Sequence, residues 1–257
     1  SCAVFFEGER VANYRKQHLP NYAVFDEKRY FVAGSQATVV EIGTIRLGIT
    51  ICEDIWSPGI AQQSRDAGAE MICNLNASPY SLDKHAQRID VVSAAAREGD
   101  LPIAYVNTVG GQDELIFDGG SFALAASGDL AAQAGVFDEE LVELKVSRSD
   151  SKLSISGPVR QLPGLEESVY QALVLGIRDY VHKNRFDGCV LGLSGGIDSA
   201  LTLTLAVDAL GPEQVLVISM PSKYTAPMSV EDAREEAELL GCECKIVPIE
   251  EPVGAFT

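Results

Sequence analysis

The sequence is poor in the residues that most often bind metals. It holds three histidines, and its six cysteines form no C-x-x-C pair. A zinc site of the usual His/Cys spacing is therefore not expected. Cys2, Cys52, Cys73, Cys189, Cys242 and Cys244 lie in an ordinary globular composition. That fits a reduced, cytosolic protein better than a disulfide framework. Basic residues are scarce too: 20 Lys and Arg against 37 Asp and Glu leave a net charge of −17. A surplus of that size argues against nucleic acid or a membrane surface as a general partner. It leaves open nucleotides, which bind through local loops. No long uncharged apolar run is present, so no membrane span is expected. The opening SCAVFFEGER lacks the basic segment and apolar core of a secretory signal. There is no internal repeat and no low-complexity tract.

What remains is a chain of 257 residues, 46% of them hydrophobic, enough for one large or two modest cores. Up to residue 146 the pattern reads as βα repeats interrupted by hairpins. Cys2–Phe6 pairs with Arg10–Arg15, and Thr38–Glu41 with Ile45–Cys52 around Gly43. Asn21–Arg29 reads as a loop. Gly59–Gly68 and Lys84–Glu98 read as helices, the second with Ala86, Ile89, Val92, Ser93 and Ala96 on its apolar side. Met71–Leu75 and Ile103–Val106 read as strands, Phe122–Val136 as a hairpin and Leu141–Val146 as a last strand. Residues 147–164 carry Pro158, Pro163, Gly157 and Gly164 with little periodicity, and read as a linker. From 165 onward helices and strands alternate. Glu166–Asn184 is a helix with Val169, Leu173, Ile177, Tyr180 and Val181 on one face. Val215–Met220 and Lys245–Ile249 are strands, and Ser229–Leu240 is a helix capped by Ser229 and Asp232 and stopped by Gly241. The expected fold class is α/β: a layered domain over residues 1–146, then a doubly wound parallel sheet over 165–257, whose ligands bind past the strand C-terminal ends.

The second half is organised around VLGLSGGIDSALTLTL, from Val190 to Leu205. A short apolar strand breaks into Ser194-Gly195-Gly196-Ile197-Asp198-Ser199, and a helix follows. Such a turn offers backbone N–H groups and a helix N-terminus to a phosphate. It is neither GxxxxGK[ST] nor GxGxxG. Asp198 suits a cation such as Mg²⁺ or a helix cap. A plain Gly-rich βα turn with a Ser/Asp cap is the other reading.

In the first half, Ile45, Leu47, Ile49 and Ile51 alternate with Arg46, Gly48, Thr50 and Cys52. Cys52 therefore stands at a strand end before Glu53-Asp54, a corner where a nucleophile can be held rigid and exposed. A nearby ammonium, as at Lys16, stabilises a thiolate, and a carboxylate can take its proton. Taken alone, Cys52 reads as a small core residue and Lys16 as a solvated surface one. Cys73, Cys189, Cys242 and Cys244 read as core or incidental residues, and His18, His85 and His182 as surface residues.

SGGIDS resembles the pyrophosphate loop of the N-type ATP pyrophosphatases. YRKQHLPNYAVFDEKRYF and GITICEDIW resemble the lysine and cysteine motifs of the nitrilase superfamily, and look most like the amidase domain of glutamine-dependent NAD synthetases. VYQALVLGIRDYVHKN, VISMPSKYT and KIVPIEEPVGAF are similar, in order and spacing, to the synthetase domain of that family. The resemblance implies a nitrilase-like α-β-β-α layered domain and a Rossmann-like adenine nucleotide alpha hydrolase domain. It implies a Glu-Lys-Cys triad to which Lys16 and Cys52 belong, with the triad's glutamate upstream of this chain and Glu27 as a second, supporting glutamate. It implies glutamine contacts at Tyr22, Glu53, Trp56, Ser78 and Lys84. ATP would be held by Gly192, Leu193, Ser194, Gly195, Gly196, Ile197, Asp198 and Ser199, with Ser222 and Lys223 of the Pro221 loop near the nucleotide. The implied reaction adenylates deamido-NAD with ATP and Mg²⁺, and ammonia from glutamine displaces AMP to give NAD. A homo-oligomer, an internal ammonia passage and a cytoplasmic location are implied as well. Two rivals stand beside this: a nitrilase-type amidohydrolase with a nucleotide-binding regulatory module, and a non-enzymatic scaffold or ATP sensor.

Overall fold

A computed structural model describes residues 1–150 and 152–256. They divide into two compact units. The first is Ser1–Val109 with Phe117–Pro163; the second is Gly110–Ile116 with the chain from Gly164 onward.

In the first unit β1 (Cys2–Phe6) and β2 (Glu9–Tyr14) form an antiparallel hairpin. The segment expected to be a loop contains one helical turn, α1 (Glu27–Tyr30). Next come β3 (Thr38–Ile42), β4 (Ile45–Ile51), α2 (Ile60–Asp66), β5 (Met71–Asn76), α3 (Lys84–Gly99) and β6 (Ile103–Asn107). A hairpin that periodicity did not reveal follows, β7 (Val109–Gln112) and β8 (Leu115–Asp118). Its residues 110–116 cluster with the second unit. After it come β9 (Phe122–Leu124), β10 (Leu130–Gln133), β11 (Lys145–Ser149) and β12 (Lys152–Ser156).

Six strands make one mixed sheet in the order β10-β9-β6-β5-β4-β3, with β4, β5 and β6 parallel and the others antiparallel to their neighbours. Side chains alternate across it, so each face has its own core. Ile72, Ile103, Tyr105, Phe122 and Leu124 meet Ala61 of α2 and Val92, Ala95 and Ala96 of α3. On the other face Met71, Ala104, Ala123 and Ala132 meet Ile155, with Val146 and Leu153 packed alongside. Val40 and Ile49 meet Tyr14 there, beside Val4 and Ala12 of the β1–β2 hairpin. Coverage on both sides explains why Gly48 and Thr50 of β4 are buried along with Ile49. At Gly48 a Cβ would stand 3.1 Å from Ala69 Cβ, so the missing side chain lets the α2–β5 turn approach the sheet.

The stretch 147–164 is therefore not all linker. Its first part completes a hairpin whose inner side covers the sheet, and the strand expected at Leu141–Val146 begins only at Lys145. On α3 the buried side carries Arg88, Val92, Ser93, Ala95, Ala96 and Gly99, rotated from the expected stripe; Ala86 is exposed.

The second unit holds α4 (Leu165–Lys183), β13 (Cys189–Gly192), α5 (Ile197–Leu210), β14 (Val215–Ser219), α6 (Pro227–Leu240), β15 (Glu243–Ile246) and α7 (Glu250–Phe256). The three strands are parallel in the order β13-β14-β15. Leu193, Leu203, Ala206, Leu210, Val217, Ala233 and Ala237 form its core. On α4 the buried residues are Ala172, Leu175 and Val181, whereas Leu173 and Tyr180 are exposed. Segment 110–116 packs on α4. Gly111 N–H donates to Asp179 (2.6 Å), Lys183 Nζ donates to Gly111 O (2.6 Å), and Ile116 lies against Gly176. Helix α6 starts at Pro227 after Ala226 with no side-chain cap, so the Ser229/Asp232 pair is not its cap; Gly241 does end it, at φ +76°. The last strand is Glu243–Ile246 rather than Lys245–Ile249.

Candidate active site and nucleotide loop

In the first unit, the C-terminal ends of three parallel strands converge. Beta-strand β4 delivers Cys52, β5 delivers Asn76-Ala77-Ser78, and β6 delivers Asn107. Cys52 opens a 3₁₀ turn, Cys52–Trp56, with φ at +46°, a left-handed conformation a non-glycine residue adopts only where its surroundings hold it. Its thiol is half-buried. Burial pushes its pKa up; the Lys16 ammonium and an Ala77 N–H bond pull it down, while Glu53 and Glu27 add to the rise. These opposing influences place an ammonium and a backbone donor around the sulfur, where an anionic sulfur or an oxyanion would need them.

Lys16 follows β2, and its side chain is only 10% exposed. Nζ donates to both Glu27 oxygens, at 2.6 and 2.8 Å. A buried ammonium needs such a partner. Glu27 thus holds the lysine.

Four of the five residues expected to bind glutamine form two pairs. Tyr22 Oη lies 3.0 Å from both oxygens of Glu53, and its pKa is pushed up to about 12 by burial and by that carboxylate. Lys84 Nζ stands 4.3 Å from the centre of the Trp56 ring, a cation–π contact. A cleft lined by Gln17, His18, Tyr22, Phe31, Glu53 and Ser57 opens beside the first pair. Ser78 is buried and heavily bonded. Its N–H donates to Asn107 Oδ1 (2.9 Å), its hydroxyl accepts from Arg88 Nε (3.1 Å), and its carbonyl accepts from Arg88 Nη2 (2.8 Å).

That network was not visible in the sequence motifs. Arg88 is fully buried, pairs through Nη1 with both oxygens of Asp118 (2.9 Å each), and reaches the Pro79 carbonyl at 3.0 Å. It fixes the turn that presents Ala77 N–H to the thiol. A charged residue four positions before Val92 on an otherwise apolar stripe was the available signal; Asp118 had none. His85 is no surface residue. It is half-buried, with Nε2 3.2 Å from Gln133 Oε1 and its ring edge-on to Phe122, and burial lowers its pKa. The other five cysteines are free and half-buried, in keeping with core-edge roles.

In the second unit, Leu193 is buried and its N–H bonds Ile218 O (3.0 Å), carrying the chain off β13. Ser194 and Ser199 hydroxyls lie 3.0 Å apart and close the turn, with Gly196 N–H on Ser194 Oγ (3.3 Å) and Ser199 Oγ donating to Gly196 O (2.8 Å). Gly195 has φ +77°, and a Cβ there would stand 2.3 Å from Ser229 O, so only glycine fits. Helix α5 begins at Ile197, three residues earlier than expected, behind Gly196 with no side-chain cap. Ile197, Asp198 and Ser199 are thus its first turn, and their N–H groups are not capped by a side chain. Gly192 is exposed at the end of β13, near Met220. A cleft of about 330 Å³ adjoins the loop, lined by Ser194, Ser219, Met220, Tyr224, Thr225 and Ser229 among others. Ser222 N–H bonds Thr225 Oγ1 (2.9 Å), and Lys223 Nζ lies 5.0 Å from the Tyr224 ring. Neither Ser222 nor Lys223 lines the cleft. Among the described residues no cluster of three His, Cys, Asp or Glu could hold a metal ion.

A thiol on a strained strand-end corner beside a lysine–glutamate pair is the arrangement of a carbon–nitrogen hydrolase, and a second unit follows it with a Gly-rich turn at a helix start. The chain belongs to the carbon-nitrogen hydrolase family, which it matches over residues 1–154, and it matches NAD synthase over 169–257. It is 42% identical to the glutamine-dependent NAD(+) synthetase of Thermotoga maritima over 97% of this chain and 49% of that protein. To that of Acinetobacter baylyi it is 43% identical over 100% of this chain and 47% of the other. A solved structure of the glutamine-dependent NAD+ synthetase from Acinetobacter baumannii with ADP superposes with TM-score 0.91 at 44% identity, over 99% of this chain and 48% of that one. The chain spans about half the length of the curated relatives it matches.

Proposed function

We propose that this chain is part of an enzyme that amidates deamido-NAD to NAD, using ATP and ammonia from glutamine. In this reading the first unit carries the glutamine amidase and the chain from Gly164 onward the adenylating domain. The observation that carries it is one chain holding both a lysine-flanked thiol and an uncapped Gly-rich helix start. One produces ammonia, and the other activates a carboxylate to receive it.

At the first site Cys52 Sγ attacks the carboxamide carbon of glutamine. The carbonyl π electrons move to oxygen, and the Lys16 ammonium and Ala77 N–H face that charge. The C–N bond breaks, the proton given up by the Cys52 thiol ends on the departing nitrogen, which leaves as ammonia, and water then cleaves the thioester to glutamate and returns a proton to the sulfur. Glu27 keeps Lys16 in place. Tyr22, Glu53, Trp56, Lys84 and the Ser78 turn hold the substrate; Glu53 suits its ammonium end. At the second site Gly192–Ser199 hold the pyrophosphate of ATP. A carboxylate oxygen of deamido-NAD bonds the α-phosphorus as pyrophosphate leaves. Ammonia bonds the acyl carbon, AMP leaves, and the nitrogen loses a proton. Mg²⁺ bound with ATP takes most of its ligands from phosphate and water and needs only one or two carboxylates. Asp198, exposed on the first turn of α5, fits that need, and Mg²⁺ would neutralise phosphate charge there.

Exposed apolar side chains, Phe5, Phe6, Tyr30, Phe31 and Val32, support self-association. Among the described residues no helix is long and apolar enough to cross a membrane, and six free cysteines support a cytoplasmic setting.

The test is pyrophosphate release by the intact polypeptide with ATP and Mg²⁺. Release that requires deamido-NAD supports the reading. Glutamine hydrolysis without any such release would favour the plain amidohydrolase.

A further inference from the structure

We infer that Asp54 is a positioning residue for the thiol chemistry, tying the backbone that carries Lys16 to the backbone that carries Cys52. The inference rests on the amidase reading above.

Asp54 is fully buried and accepts four hydrogen bonds. Oδ1 takes the N–H groups of Gln17 (2.9 Å) and His18 (2.8 Å), the two residues after Lys16. Oδ2 takes the N–H of Ile51 (2.9 Å), the residue before Cys52, and the hydroxyl of Tyr14 (2.8 Å), two residues before Lys16. Tyr14 is itself fully buried, and burial and the Asp54 charge push its pKa upward. His18 Nδ1 stands 3.7 Å from Oδ1.

Three of the four donors are main-chain groups, and they come from the two segments that deliver the reacting side chains. Lysine has four side-chain torsions, so its ammonium is placed only as well as its Cα is placed. The Cys52 corner is strained, and Ile51 N–H on Asp54 pins its entry while Asp54 lies inside the same turn. One carboxylate thus sets the lysine segment and the cysteine corner against each other. No apolar side chain can replace it, because three backbone N–H groups would be left buried without acceptors. No hydrogen bond joins Asp54 to Lys16 Nζ or Cys52 Sγ, so it acts through them rather than on substrate. A merely structural role would cost stability alone. A positioning role also changes the thiol in molecules that remain folded.

The test uses Asp54→Asn and Tyr14→Phe in the intact polypeptide. The amide keeps one acceptor oxygen and turns its NH₂ toward two of the donors. Tyr14→Phe removes one donor of the four and leaves the three main-chain bonds. Iodoacetamide modification of Cys52, followed by mass spectrometry across pH, reads the thiol directly. With a charge partner displaced, the pH midpoint in Asp54→Asn rises by about one unit. The glutamine-driven kcat falls about 100-fold relative to the ammonium-driven rate, the scale expected for ~1 Å of misplacement, while KM for glutamine moves little. Tyr14→Phe shifts both readouts in the same direction by less. If Asp54→Asn folds and matches the parent in both, the inference is wrong. If Asp54→Asn fails to fold, Tyr14→Phe decides, and an unchanged alkylation profile overturns it. Cys52→Ala run in parallel separates the two claims. Glutamine hydrolysis retained in that variant overturns the amidase reading itself, whatever Asp54 does.

Discussion

At the scale of single residues, the thiol is governed by one cation. Burial raises the Cys52 pKa and the Lys16 ammonium opposes it. Lys16→Met removes that opposition and leaves Glu27 as an uncompensated charge beside the sulfur. Alkylation of Cys52 at neutral pH is expected to slow several-fold, measured on the Cys52 peptide. A rate equal to the parent's would mean the lysine does not act on the sulfur. His85 gives a pH prediction. Its folded pKa lies below the ordinary 6.5 because burial disfavours the charged ring. The unfolded chain therefore binds the proton first, and stability falls as pH drops below that value. His85→Gln, which has no titrating ring, is expected to flatten the stability curve between about pH 7 and 5 in urea titrations.

At the scale of elements, α3 does more than cover a sheet. Its Arg88 is buried against Asp118 and carries the carbonyls of Ser78 and Pro79. Arg88→Met leaves Asp118 charged without its partner, so a loss of about 3–5 kcal/mol is expected from chemical denaturation. A loss under about 1 kcal/mol would mean that the pair is not holding the turn. At the α5 start, Gly195→Ala meets both a positive φ and the Ser229 carbonyl. ATP-dependent pyrophosphate release is expected to be lost in a protein that still folds and still hydrolyses glutamine. Much of this was legible in sequence, and the reason differs by element. The sheet strands announced themselves by alternation, as at Ile45–Ile51, and Lys16, Cys52 and SGGIDS by motif. Arg88–Asp118 and Asp54 did not, because Asp118 is 30 residues from Arg88 and three of the four donors to Asp54 lie 36 to 40 residues away, and a pairing across that distance leaves no local period. The β11–β12 hairpin hid among prolines and glycines, since only its inner residues Val146, Leu153 and Ile155 are apolar. The β7–β8 hairpin is too short and too Gly-rich to alternate.

At the scale of the molecule, a chain of charge −17 nevertheless binds anions in this account. It does so through backbone N–H groups at one helix start rather than through surface lysines. In the proposed function its two halves share one nitrogen atom: the first frees it from glutamine, and the second fixes it on an adenylated carboxylate. The most direct measurement is NAD formation by the intact polypeptide and its Cys52→Ala variant, given ATP, Mg²⁺ and deamido-NAD with either glutamine or an ammonium salt. The variant is expected to lose the glutamine-driven reaction and keep the ammonium-driven one. Absence of NAD from the parent with either nitrogen source, or undiminished glutamine-driven NAD from the variant, would contradict the proposed function.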